Sequence, residues 1–247
     1  MIPKIIHYCW FGRKPLPKSA LKCIASWRKY MPDYEIKEWN EDNYDVNVIP
    51  YTKEAYEAKK YAFVSDYARF WILYNYGGIY FDTDVEVIRP MSDIIEKGPF
   101  MGFEASGVSD KGLSVAPGLG LGVNPGLGLY AEFLDLYSTL KFRNADGTIG
   151  GNTIVGYTTD VLLRHGLDTS GILQQVAGVW IYPKDVFCPM DHTTGITTIT
   201  SRTVSIHHYD ASWINHHTWR YRLHQLKNVL YSIVGERIAR LLNSLFH

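Results

Sequence analysis

Residues 63–85 read FVSDYARFWILYNYGGIYFDTDV, and the change of pattern inside this stretch decides the fold. Residues 61–76 are apolar on nearly every side at helical spacing, so they predict a buried helix, the second part of a helical stretch opening at 52. Gly77-Gly78 supplies a stop where the backbone can take positive φ. Ile79-Tyr80-Phe81-Asp82 then reads as a short apolar strand running directly into Thr83-Asp84-Val85-Glu86-Val87, which Arg89-Pro90 closes. The acidic pair Asp82 and Asp84 is therefore expected at the carboxyl end of a buried strand.

Working outward, residues 2–11 predict a strand stopped by Gly12 and by Pro15 and Pro17. Residues 16–30 predict a helix, with Leu21, Ile24, Ala25 and Trp27 at helical intervals, and Pro32 ends it. Residues 34–39 alternate like a second strand, and strand, helix, strand in this order implies a right-handed parallel unit. Downstream, 118–123 predicts a strand, with Asn124-Pro125 as N-cap and first residue of a helix through Tyr137. A helix over 153–163 and strands over 179–182 and 203–208 follow. The string PGLGLGVNPGLG (117–128) is not read as a dinucleotide fingerprint, because its glycines alternate with Leu like a strand face and no ribose-binding acid is evident.

The expectation is one α/β domain over 1–217, a Rossmann-like mixed sheet flanked by helices, followed by a segment at 218–247. That segment carries Arg220, Arg222, Lys227, Arg237 and Arg240 against a single Glu236, with apolar residues at helical intervals. A basic amphipathic helix of this kind can lie on an anionic membrane surface or dock as a helix.

The 247 residues suffice for one sizeable core. With 25 Lys and Arg against 25 Asp and Glu there is no global basic field to draw a nucleic-acid backbone, so any anion must be bound locally. Cys9, Cys23 and Cys188 are odd in number and lack zinc-site spacing, which argues for a reducing compartment, and the expected location is cytoplasmic. The opening MIPKIIHYCWFGRKP lacks the pattern of a signal peptide, and no stretch is apolar enough to span a bilayer. The 18 Tyr and 7 Trp supply flat faces for stacking bases or sugar rings.

Two carboxylates two apart on an extended segment project to one face and can share a hard divalent cation, Mn²⁺ or Mg²⁺, whose shell phosphate oxygens would complete. Burying them after an apolar run is costly without such a cation. Asp66 and Arg69, three apart on the buried helix, share a face, where they form an ion pair or each face a ligand. Trp10 ends an apolar strand and is either core or stacking platform. His207 and His208 are adjacent on an expected strand, so their side chains point oppositely and only one faces the acids.

The stretch Phe63-Val-Ser-Asp66-Tyr-Ala-Arg69 through Gly77-Gly78-Ile-Tyr80-Phe-Asp82-Thr-Asp84, the opening Ile2-Pro3-Lys4-Ile5-Ile6-His7-Tyr8-Cys9-Trp10-Phe11-Gly12, and the later Ile206-His207-His208-Tyr209 to Ser212-Trp213 together resemble glycosyltransferase family 32. That family includes capsule and polysaccharide glycosyltransferases, yeast initiating mannosyltransferases and, more distantly, the glucosyltransferase domain of large clostridial toxins. The resemblance spans roughly residues 2–215 and implies a GT-A fold, metal-dependent transfer from a nucleotide sugar, and retention at the anomeric carbon. Carried over, Trp10 stacks on the base, Asp66 and Arg69 bind the donor sugar and phosphate edge, and Tyr80 lines the nucleotide site. Asp82 approaches ribose and metal, Asp84 is the firmest metal ligand, and Ser212 and Trp213 close over the diphosphate. His208 is expected as the third metal ligand, since His-Tyr also begins a metal-binding motif in family 8 enzymes. No residue type here reads uracil against guanine; the preferred donor is a UDP-sugar of galactose or N-acetylgalactosamine type, with GDP-mannose as the alternative. The implied acceptor is a saccharide, lipid-linked, in surface polysaccharide synthesis, with Asn152 and Asp160 expected on its side. A metal-dependent nucleotide-sugar hydrolase and a nucleotide-sugar binding module are the competing readings.

Overall fold

The computed structural model describes residues 1–104, 112–191 and 196–210. The expected segment at 218–247 and the pair Ser212 and Trp213 lie outside them.

The stretch over 61–87 folds as helix α3 (Tyr61–Tyr76), strand β3 (Gly78–Tyr80) and strand β4 (Val85–Val87). Gly77 and Gly78 take φ of +63° and +98°, as their composition allows and an L side chain does not. Space forbids a side chain there as well: a Cβ on Gly78 would stand 2.7 Å from the Ile5 carbonyl oxygen. Upstream, β1 (Ile5–Cys9), α1 (Lys18–Tyr30) and β2 (Glu35–Trp39) form the expected parallel unit, with Ile6 opposite Ile36. The helical stretch from 52 is broken in two, because α2 (Pro50–Glu57) ends before Lys59, which turns through φ +57°.

The remaining elements are α4 (Ser92–Lys97), β5 (Phe100–Glu104), β6 (Ser114–Val115), β7 (Leu121–Val123), α5 (Gly128–Thr139), α6 (Ile154–Arg164), β8 (Gln174–Val176), β9 (Val179–Tyr182), α7 (Lys184–Phe187) and β10 (Ser205–His207). The main sheet runs β2-β1-β3-β7-β5-β9-β8, with β6 on β5, and β10 pairs β4 in a separate two-stranded ribbon. β1 is parallel to β3, and two antiparallel steps through β7 make β5 parallel to β3 as well. The carboxyl ends of β1, β3 and β5 therefore share one edge of the sheet, where open α/β sheets bind ligands.

Side chains alternate across the sheet and divide the core into two layers. Tyr80, Met101 and Phe103 pack with α3 residues such as Phe70 and Leu73, while Ile79, Phe81 and Phe100 pack with Trp27 and Ile24 of α1. Trp27 is fully buried, donates its indole N–H to the Val85 carbonyl at 2.7 Å, and holds the Phe81 ring at 5.4 Å. His7, also fully buried, accepts from the Trp39 indole on Nδ1 and donates from Nε2 to the Gly77 carbonyl, so one neutral tautomer satisfies both contacts. Burial drives its pKa down to about 4.

One boundary differs from expectation for a local reason. The helix after β7 starts at Gly128, not at Pro125, because Pro125-Gly126 forms a turn against the end of α3. Gly126 donates to the Tyr74 carbonyl at 2.8 Å, and Pro125 abuts Gly77 closely enough to exclude a Cβ there. The Gly-rich string forms β7 and its approach, where Gly122 leaves room for the Phe100 ring. Strands β5, β6 and β8 are additional to those expected from sequence.

Candidate functional site

The acidic pair does not lie on one continuous strand. β3 stops at Tyr80, the Asp82 N–H goes to the Gly118 carbonyl at 3.2 Å, and the Val85 N–H turns back to the Asp82 carbonyl at 3.1 Å. Asp82-Thr83-Asp84 is thus a turn at the sheet edge, and strand alternation is not what brings the carboxylates together. The turn and the β10 ribbon do so instead.

Asp82 faces α3. The Arg69 guanidinium spans its carboxylate, Nη2 to Oδ1 at 3.2 Å and Nη1 to Oδ2 at 3.3 Å, while Nη2 also reaches Asp66 at 3.1 Å. Arg69 lies over the Tyr80 ring at 4.9 Å, and the Tyr80 hydroxyl donates to Asp82 at 3.1 Å. Of the two readings of Asp66 and Arg69 the ion pair is present, and Arg69 also clamps Asp82. Burial pushes the Asp66 carboxyl up to about 7 against the pull of Arg69. Burial likewise raises Asp82, with Arg69 opposing and Asp84 adding to the rise.

Asp84 faces β10. Its Oδ1 is 3.2 Å from Nε2 of His207, its Oδ2 accepts the Asp210 N–H at 3.0 Å, and its carbonyl accepts the His208 N–H at 3.0 Å. Burial works to raise its carboxyl, but His207 prevails and holds it below the ordinary range. His207 behaves reciprocally: burial favours its neutral form, yet Asp84 and neighbouring Cys188 hold it well above the usual imidazole range.

The two histidines point oppositely, as strand alternation requires, but the one facing the acids is His207. His208 reaches out to Glu86 at 2.8 Å, which corrects the expectation that it completes the metal set. The reason is register: Val85 pairs with His207, placing that side chain over the turn.

Ligand atoms of Asp82, Asp84 and His207 all lie within 4.8 Å of one another. Two carboxylates and one imidazole suit a divalent cation such as Mn²⁺ or Mg²⁺. Among the described residues Asp84 has no Arg or Lys partner, only His207, so a cation would take over the charge that the imidazolium now supplies.

Trp10 leaves β1 at the same edge, half-buried, its indole donating to the Lys14 carbonyl at 2.6 Å and its N–H to Trp39. Asn152, just before α6, donates to Asp160 within it at 3.4 Å, both exposed.

Sequence reading missed three contributors. A Cβ on Gly118 would meet Asp82 Oδ2 at 2.1 Å, so this glycine is needed for close approach to the turn. Tyr209 takes φ +51°, stacks on His207 at 4.1 Å between ring centroids, and donates its hydroxyl to Glu104 at 3.3 Å. Glu104 ends the apolar run Phe100–Phe103 as Asp82 ends 79–81, and this shared pattern is the signal that could have found it. Burial raises its carboxyl, with His207, Tyr209 and Lys184 opposing.

Gly118→Ala tests the turn sterically without backbone strain, since the φ of Gly118 is outside the left-handed region. Displacing a ligand by about 1 Å can cost on the order of 100-fold, so Mn²⁺ binding by calorimetry should weaken at least tenfold with an unchanged circular-dichroism spectrum. Unaltered Mn²⁺ affinity would show that Gly118 does not shape the site.

A mixed sheet with helices on both faces and an Asp-Thr-Asp turn at its carboxyl edge is the architecture of a GT-A fold. Residues 17–101, about a third of the chain, match the family described as "Glycosyltransferase sugar-binding region containing DXD motif". The chain is 28% identical over 111 residues to inositol phosphoceramide mannosyltransferase 1 of Schizosaccharomyces pombe, covering 40% of this chain and 33% of that protein. It is 30% identical over 122 residues to inositol phosphoceramide mannosyltransferase 3 of the same organism, covering 47% and 34%. The chain thus spans about a third of the length of these relatives. Among solved structures, a glycosyltransferase involved in the glycosylation of the major capsid of PBCV-1 superposes over 91% of this chain and 100% of that one, with a TM-score of 0.51 at 11% identity. That likeness bears on the fold alone.

Proposed function

We propose that the chain is a metal-dependent, retaining glycosyltransferase that moves a hexose from a nucleotide sugar to a saccharide acceptor. The observation that carries this reading is the Asp82, Asp84 and His207 set at the sheet edge, beside the Asp66–Arg69 pair. A divalent cation bound there would neutralise charge developing on the departing nucleoside diphosphate. Arg69 fixes Asp82, Tyr80 bonds the same carboxylate, and Asp66 stands ready to accept hydrogen bonds from donor hydroxyls. Trp10 supplies an aromatic face for the base. The acceptor is a lipid-linked saccharide of a surface polysaccharide, met at the inner face of the membrane. Among the described residues no helix is long and apolar enough to cross a membrane; the basic residues of 218–247 are what suits this sequence to an anionic bilayer surface. Deleting residues 219–247 should then release the protein from anionic vesicles, and full retention would sink that part.

The preferred donor is a UDP-sugar of galactose or N-acetylgalactosamine type. The mannosyltransferase names of two relatives favour GDP-mannose as a second reading. A thermal-shift panel of UDP- and GDP-sugars with Mn²⁺ decides between them. A ligand at 100 times its Kd adds about 2.7 kcal/mol, or roughly 5–10 °C for a chain of this size. No shift with any nucleotide sugar would overturn the reading, and donor cleavage that no saccharide accelerates would favour a hydrolase.

A further inference from the structure

Glu104 is a second carboxylate on the edge that carries the acidic turn. Phe100, Met101 and Phe103 of its strand are fully buried, whereas Glu104 is partly exposed. Because β5 runs parallel to β3 with only β7 between them, Glu104 reaches this edge roughly 10 Å from the turn, two strand spacings away. Among the described residues no Arg or Lys pairs with it; Lys184 is near enough to act on its charge without forming an ion pair. Its hydrogen bond comes from Tyr209, at 3.3 Å. An ionised carboxylate has about four acceptor sites, so among the described residues most of the acceptor capacity of this group is unused. A carboxylate largely removed from water and left so poorly satisfied is a cost to folding that a ligand donor would offset.

Its holder is itself unusual. Tyr209 sits in the left-handed region, which a bulky non-glycine residue adopts only where its surroundings enforce it. That conformation lays its ring on His207 and sends its hydroxyl between Cys188 Sγ, at 2.9 Å, and Glu104. One side chain thus ties the imidazole of the cation set to the carboxylate on the far strand. Along the edge the order is Trp10 after β1, the Asp82–Asp84 turn after β3, and Glu104 as the last residue of β5. A nucleotide sugar laid along it with its base at Trp10 and its diphosphate at the turn brings its sugar toward β5.

We propose that Glu104 is a sugar-binding residue whose carboxylate accepts a hydrogen bond from a substrate hydroxyl beyond the metal, with Tyr209 as the residue that positions it. The inference rests on the nucleotide-sugar reading given above. The hydroxyl belongs either to the transferred sugar or to the acceptor, and Glu104→Gln separates the two. Mn²⁺ with bare UDP or GDP, and Mn²⁺ with UDP-galactose or GDP-mannose, are titrated calorimetrically into the full chain and the variant. If the donor sugar is the ligand, the variant loses on the order of 10- to 100-fold in affinity for the nucleotide sugar and none for the bare nucleotide. If the acceptor is the ligand, both affinities stay unchanged and the KM for methyl mannoside or methyl galactoside rises by a similar factor. Tyr209→Phe keeps the ring on His207, removes the hydroxyl, and should reproduce the same selective loss to a smaller degree. This second variant decides the matter should Glu104→Gln fail to fold. Unchanged donor affinity together with unchanged acceptor KM overturns the proposal, as does an equal loss for bare and sugar-bearing nucleotides. Wild-type protein that binds bare nucleotide with Mn²⁺ but turns over no nucleotide sugar would instead defeat the transferase reading itself.

Discussion

Asp84→Asn is expected to abolish Mn²⁺-dependent transfer, lowering turnover by about 10³-fold or more, while leaving the fold intact. Metal stabilisation of a departing group is worth several kcal/mol, and each 1.4 kcal/mol is about tenfold in rate. The choice of Asp84 over Asp82 follows from their partners. Asp82 is already spanned by Arg69 and bonded by Tyr80, so part of its charge is committed within the protein. Among the described residues the Asp84 carboxylate bonds His207 and the Asp210 N–H and no Arg or Lys, and, held below the ordinary range, it stays ionised for a cation. Asp82→Asn should accordingly be more tolerant. Because Asp84 also holds His207 protonated and a metal needs the neutral ring, Mn²⁺ affinity in the wild type should fall as pH falls. Initial rates at saturating Mn²⁺, with circular dichroism as the check on folding, measure the effect. Normal metal-dependent turnover by Asp84→Asn would remove the acidic turn from the chemistry.

The elements nearest the site were the most legible in sequence, for identifiable reasons. Helix α3 announces itself by an apolar run too long for a strand, and Gly77-Gly78 must follow it because the chain turns there through positive φ beneath His7. Within α3, the three-residue spacing of Asp66 and Arg69 fixes their contact locally, so that ion pair was readable. What sequence could not supply is long-range. Parity shows that His207 and His208 diverge, but which one faces Asp84 depends on the pairing of β10 with β4, about 120 positions away in the chain. The acidic motif was expected on a strand because its neighbours are apolar; the strand breaks because the Asp82 N–H is taken by Gly118 from another part of the fold. Glu104 was passed over for the same kind of reason. Its relation to the turn exists only through the sheet order β3-β7-β5, which no local pattern encodes.

Arg69→Met is expected to cost about 3–5 kcal/mol of stability at neutral pH, the usual cost of removing one partner from a buried charge cluster. The Arg69 side chain is 4% exposed and serves two carboxylates at once, Asp66 and Asp82, while Nε donates to the Ser65 carbonyl. Methionine fills similar apolar space but leaves both acids without their cation. Lysine is no substitute, because a single ammonium cannot reproduce the planar fork that spans Asp82 and reaches Asp66. The loss must depend on pH in a definite direction. Even with Arg69 present, burial holds the Asp66 carboxyl at about 7 instead of its ordinary 3.8. A carboxyl raised on folding favours the native state fully below its unfolded value, and that contribution is lost as pH rises through its folded value. Without Arg69 both carboxyls rise further, so the deficit of Arg69→Met relative to wild type should be small near pH 4 and widen through pH 8. Urea denaturation is the suitable measurement, since it leaves charges unscreened where guanidinium chloride does not. Adding Asp66→Asn to Arg69→Met removes one of the stranded charges and should recover part of the loss at pH 8 while recovering little at pH 4. A penalty that is flat with pH, or a double variant no better than the single, would mean that Arg69 acts through packing on Tyr80 and not through the acids it bridges.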